Sequence, residues 1–190
     1  MKSFKSKILA LLAGLGVAYQ VQRPPEMEHI EKPIAVEKPE IIETSRPEIN
    51  LAGMIGQTPE EARMITEAIK SANAVMRTEC FRNSILDGKF TETNGLTNSQ
   101  IYNLIASKKV NTKVKMFTGS FTQNHVYKTM GYDIGDGITY ANRYFVKDAD
   151  MLASLIMHEA EGHGQGFHHY NAKNTSVPYS LNSIYDKCSN

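Results

Sequence analysis

His158-Glu159-Ala160-Glu161-Gly162-His163-Gly164-Gln165-Gly166-Phe167-His168-His169 gathers four of the chain's six histidines and two carboxylates into one short stretch. Imidazoles and carboxylates at this density read as a metal site. The spacing within the stretch decides how it must fold. His158 and His163 stand five residues apart. Five residues on an ideal helix advance by roughly 500° and leave two rings about 140° apart, whereas four advance by roughly 400° and leave them about 40° apart. A regular helix cannot aim both rings at one ion. A single π-turn, closing an i to i+5 hydrogen bond in place of i to i+4, absorbs one residue and restores a common face. Gly162 stands where that distortion is needed. The undistorted alternative pairs Glu159 with His163 at i, i+4, giving a Glu/His/His site with Ala160 where a base should follow the first ligand.

The second half, His163-x-x-Gly166-x-x-His169, resembles the back half of the elongated zinc-protease motif HExxHxxGxxH, in which a glycine turns the chain so that a third histidine reaches the metal. The first half departs from it and reads HExxxH. It resembles, letter for letter, the HExxGH zinc helix of one family of dipeptidyl peptidases. The third ligand of that family is a glutamate in a downstream EExxAE-type segment, and nothing after His169 is similar to it. On the bulged reading His158, His163 and His169 hold Zn²⁺ as neutral imidazoles, with a position left for water. Glu159, directly after the first histidine, is then the general base. His168 is expected on the rim, and Glu161 is either a support for a ligand or solvated.

Around this stretch the chain divides by composition. Met1–Ala18 opens with Lys2, Lys5 and Lys7, runs on through the apolar Ile8–Ala18 and ends in small residues. Residues 1–22 therefore read either as a secretory signal or as an uncleaved N-terminal anchor, with a membrane tether through residues 8–18. Secreted or periplasmic placement follows, or attachment to an inner membrane. Residues 23–50 carry five of the seven prolines interleaved with seven glutamates and no apolar period, the composition of a disordered spacer. Residues 51–190 are expected to form one domain. Net charge +1 with 22% charged residues gives no hint of nucleic acid or of an acidic partner.

Within the domain, Thr58-Pro59-Glu60-Glu61 is a capping box that starts a helix with Ala62, Ile65, Ile69, Ala72 and Met76 on its buried face. Thr97-Asn98-Ser99-Gln100 starts a shorter helix through Ile101, Leu104 and Ile105. Asp87-Gly88 marks a turn. Strands are expected at Phe90–Thr93, Val114–Thr118, Val126–Met130 and Gly137–Asn142. Asp148 should cap the motif helix, with Met151, Leu152, Leu155 and Ile156 buried on its approach to His158. The class is α+β, a small sheet plus a ligand-bearing helix. His125 reads as a surface residue.

The order Thr93-Asn94-Gly95-Leu96-Thr97-Asn98-Ser99-Gln100-Ile101-Tyr102, Gly131-Tyr132, Asn142-Arg143-Tyr144-Phe145, the histidine stretch, then Ser176-Val177-Pro178-Tyr179 is similar to a group of bacterial exported proteins with a metzincin-like HExxHxxGFxH helix. The resemblance spans most of Thr78–Cys188. It implies a zincin-like metallopeptidase fold, with ligands and base at His158, Glu159, His163 and His169, and it implies no substrate; peptide or protein is the substrate class expected of metal-activated water. True metzincins carry a Met-turn below the metal. No Met follows His169, and the Ser176–Tyr179 turn is expected in its place.

Tyr179 is a candidate second catalytic residue, a donor to the oxyanion that forms when water attacks a carbonyl; packing against the helix is its other reading. Cys80 and Cys188 are expected to form a disulfide that ties the C-terminal segment to the first helix in an exported protein. Two other functional readings stay open: a catalytically silent zincin-fold module, metal-stabilised and serving binding or envelope structure, and an amidase acting on cell-wall peptide.

Overall fold

Thr58 and Glu61 start the helix on which the domain is built. The computed structural model describes residues 46–170 and 175–190; the expected signal or anchor and most of the spacer lie outside the described residues. The Thr58 hydroxyl accepts the Glu61 N–H at 3.2 Å, and the Glu61 carboxylate accepts the Thr58 N–H at 2.9 Å. Such a cap is worth about 1 kcal/mol. With Pro59 in the first turn, helix α1 runs Pro59–Met76 and buries Ile65, Ala68, Ile69, Ala72, Val75 and Met76. The second expected box also forms: Thr97 and Gln100 cap α3 (Asn98–Ser107) reciprocally.

The sheet has four strands in the order β1-β2-β4-β3. Strands β1 (Glu48–Ile55), β2 (Lys109–Phe117) and β4 (Ile138–Asn142) are parallel, and β3 (Gly131–Tyr132) closes one edge antiparallel to β4. Parallel neighbours require a long crossover. Here α1, α2 (Glu79–Leu86) and α3 supply it between β1 and β2. Helix α4 (Ala149–Ile156) packs on α1, and α5 (Val177–Cys188) packs on α1, α2 and α4. Ile65, Phe81, Ile85, Ile101, Ile105, Leu152, Ile156 and Tyr185 belong to one continuous core, each large side chain contributing about 1.5–3 kcal/mol.

The domain begins earlier than composition predicts. Strand β1 takes in Glu48, Ile49 and Asn50, because Ile49 is buried and the Asn73 side chain on α1 bonds both its N–H and its carbonyl. The strand expected at Val126–Met130 is absent. Thr122–Val126 forms a π-helical turn instead, started by reciprocal bonds between Ser120 and Gln123 and by Asn124 Nδ2 donating to the Gly119 carbonyl. Local side-chain to backbone bonds of this kind outcompete a short strand. Of Phe90–Thr93, only Thr91 makes a bridge, to Ser176. The Ser176–Tyr179 turn is the start of α5, with Pro178 in its first turn, where a missing N–H costs nothing. Met151 faces solvent, while Leu152, Leu155 and Ile156 are buried as expected.

Cys80 and Cys188 form a disulfide with a Cα–Cα distance of 5.7 Å. It joins the end of α5 to α2, a helix the periodicity does not reveal, and not to α1. Among the described residues no helix is long and apolar enough to cross a membrane.

Candidate metal centre

Asp148 caps α4 by accepting the Met151 N–H at 2.8 Å, and the helix enters the histidine stretch with its apolar face buried. From Met157 to Gly162 it widens into a π-turn. The His163 N–H reaches the carbonyls of both His158 and Glu159, so the i to i+5 bond that the spacing demands is present. A 3₁₀ turn, His163–Gln165, follows and ends at Gly166 in the left-handed region with φ 86°. Glycine is required there, and the reversal brings His169 back toward the helix. Gly162 has a different reason from the expected one. Its φ of −70° is ordinary for any residue, but a Cβ there would lie 2.8 Å from Pro178 Cβ, so its bare backbone seats α5 on the bulge.

The three histidines converge. One ring nitrogen from each of His158, His163 and His169 lies within 4.8 Å of the other two, close enough to bind a metal ion. A tetrahedral ion at about 2.1 Å from each ligand needs nitrogens about 3.4 Å apart, a closure within reach of small side-chain rotations. His163 Nδ1 donates to the Phe167 carbonyl at 2.8 Å, which fixes the tautomer and leaves Nε2 with its lone pair free. His158 is buried; its Nδ1 makes no hydrogen bond of good geometry among the described residues, but the Pro178 backbone is close enough to oppose the lowering of its pKa. Burial, then the neighbouring rings of His163 and His169, push His158 down to about 3; burial also lowers His163. Both are neutral at physiological pH, the state a metal requires. His168 is exposed and stays outside the set, and His125 stacks on Phe121 and Tyr144 at the surface.

Glu159 Oε2 lies 3.9 Å from His163 Nε2. That is too long for a hydrogen bond, and with a neutral ring it is no ion pair. Burial, and then the charge of Asp133, push the Glu159 carboxyl up to about 8, while the Asp133 N–H bonds to it and opposes the shift. The ring of Tyr179, from the first turn of α5, packs 4.8 Å from His158 and 4.7 Å from His169. Glu161 is not solvated: it is fully buried, accepts from Gln165 Nε2 at 3.2 Å, and burial pushes it up to about 8, so it sits neutral under the bulge.

Two groups of residues at the site carry no signal in their spacing. Asp133, just past β3, supplies the backbone N–H and the charge that act on Glu159. The loop Thr91–Asn94 braces the segment that carries His169. The Thr91 N–H donates to the Thr175 carbonyl at 2.8 Å, Glu92 Oε1 accepts the Tyr170 N–H at 3.2 Å, and Asn94 Nδ2 donates to the Gly166 carbonyl at 3.0 Å. Glu92 and Asn94 adopt positive φ to do so. Nothing in the sequence ties Asn94 to the distant histidine stretch.

The site opens into a cleft of about 700 Å³ walled by Tyr127–Asp133, including edge strand β3, and by Leu155, Tyr170, Tyr179 and Asn182 around the histidines. No family model matches the chain, and neither a curated protein nor a solved structure matches it.

Proposed function

We propose that the chain is a zinc-dependent peptidase of zincin-like architecture that hydrolyses peptide bonds in polypeptide substrates. The observation that carries this reading is the convergence of His158, His163 and His169 through an i to i+5 turn, with the Glu159 carboxyl group 3.9 Å from the His163 Nε2 that would face the metal. Zinc held by three imidazoles supplies a Lewis acid that polarises a carbonyl and lowers the pKa of water toward about 7.

The chain's own residues do the rest. Glu159, held by the Asp133 N–H and raised to about 8 in the metal-free site, would ionise beside a bound cation, and as the carboxylate it would take the proton of the attacking water and deliver it to the leaving amine. Tyr179 stands against two of the three candidate ligand rings, and its hydroxyl is the group that would donate to the developing oxyanion. Strand β3 pairs with β4 on one side only among the described residues, and its other edge offers backbone groups to an extended peptide. The Cys80–Cys188 disulfide supports export to an oxidising compartment, in keeping with the apolar N-terminal segment.

The test is digestion of an unfolded protein by the zinc-loaded full chain, alongside Glu159→Gln. Cleavage that falls by about 10²–10⁴ in Glu159→Gln, with metal content unchanged, is the expected result. Equal cleavage by the two proteins, or none by either, contradicts the reading and favours a metal-stabilised module without turnover.

A further inference from the structure

A second cavity, of about 720 Å³, meets the metal cleft at Asp133, His163 and His168. Its long wall is Lys108–Thr112, the beginning of β2. Strand β4 starts at Ile138, opposite Lys113, so this half of β2 has a neighbour on the β1 side alone among the described residues. The Lys113 N–H donates to the Gly137 carbonyl, away from β1. In a parallel strand the backbone groups of alternate residues face the same side. Those of Lys109 and Asn111 therefore face the cavity, with no strand upon them. Gly164 also lines the cavity.

The charges along this cavity are sorted. Asp133 lies where it joins the metal cleft, and Lys108 and Lys109 belong to the second cavity alone. Lys109 is paired with Glu48 at 2.8 Å, and Lys108 has no ion-pair partner among the described residues. An open strand edge takes extended polypeptide. An unpaired lysine beside that edge favours an acidic side chain in it.

Direction follows from β3. The chain passes from Tyr127–Met130, in the metal cleft, through β3 to Ile134, Gly135 and Gly137, in the second cavity. A peptide antiparallel to β3 runs the other way, with its N-terminal part in the second cavity.

We infer that this cavity is the subsite for the substrate stretch N-terminal to the cleaved bond, and that it selects an extended segment carrying Asp or Glu within about four residues of that bond. The inference rests on the peptidase reading for its position and on the cavity for its chemistry.

The test uses zinc-loaded full chain, as wild type, Lys108→Ala and Lys108→Glu, on an equimolar peptide library with cut sites read by mass spectrometry. Wild type should favour Asp and Glu at the second to fourth positions N-terminal to the cut. Lys108→Ala should lose that preference, and Lys108→Glu should shift it toward Lys and Arg roughly five- to ten-fold. The same profile from all three proteins, or an acidic preference on the C-terminal side, overturns the inference. A chain that cuts nothing fails the peptidase reading, and the subsite is then decided by binding. The zinc-loaded Glu159→Gln chain is titrated with fluorescein-labelled acidic and basic versions of one extended peptide. Several-fold tighter binding of the acidic version, abolished by Lys108→Glu, upholds the subsite, and equal binding overturns it. Thermal melts of the variants, whose substitution is at an exposed position, confirm that they are folded.

Discussion

Gly162 and Pro178 are in direct backbone-to-ring contact: a Cβ on Gly162 would lie 2.8 Å from Pro178 Cβ and 2.9 Å from its Cα. The bulge and α5 are thus fitted to each other, and α5 carries Tyr179 to the ligand rings. Gly162→Ala must push α5 off the turn or distort it. The expected cost is about 1–3 kcal/mol of stability, as for other overpacked sites, together with weaker metal binding. Urea unfolding of the metal-free protein and a zinc titration measure the two effects separately.

Asn94 is the second lever on the site, acting through the Gly166 carbonyl. Asn94→Gly accepts the same positive φ without strain, so it removes the hydrogen bond alone. Zinc affinity should fall about ten-fold, the lower end for groups that orient ligands, while the melting temperature of the metal-free protein changes little. Asn94→Asp, which keeps the shape and loses the donor, should behave the same way. Competition with a chromogenic chelator reads both.

The acid side of the stability profile should depend on Glu61. The Arg143 guanidinium holds its carboxyl below the ordinary 4.5. A folded-state value below the unfolded one gives stability that is complete above the unfolded value and is lost as pH falls through the folded value. Both side chains keep contact with water, 15% and 35% exposed, so the contribution is about 0.5–1 kcal/mol. Glu61→Gln keeps a carbonyl for the Thr58 cap, and should show a shallower loss of melting temperature from pH 6 to pH 3 than wild type.

Removing the disulfide should affect stability more than the metal. Cys80 and Cys188 are 108 residues apart, and closing so long a loop is worth up to about 4–5 kcal/mol in chain entropy. The bridge holds the far end of α5, while the near end meets the histidines. The double Cys→Ser variant should therefore unfold at much lower urea concentration, with zinc affinity kept wherever the protein is still folded.

The local elements were legible because local chemistry decides them. Thr58 with Glu61, Thr97 with Gln100, and Asp148 each sit at the helix start the sequence predicts, and the five-residue gap between His158 and His163 demands the π-turn that the fold contains. What stayed hidden depends on distant partners. Strand β1 exists because Asn73 and β2 pair with it, not because its own residues alternate cleanly. At Gly162 the need for a bare Cα comes from Pro178, a distant partner, and not from its own dihedrals. Asp133 and Asn94 reach the site only through tertiary folding, and no periodicity connects them to a histidine.

X-ray absorption at the zinc edge of the metal-loaded full chain tests the central claim most directly, because it reads the ligand set itself. The bulged helix predicts about one zinc per chain with three imidazole nitrogens at about 2.0–2.1 Å, one of them lost in each of His158→Ala, His163→Ala and His169→Ala. A chain that takes up no zinc, or a centre that keeps its full imidazole count in His158→Ala and loses a carboxylate oxygen in Glu159→Gln, would contradict it.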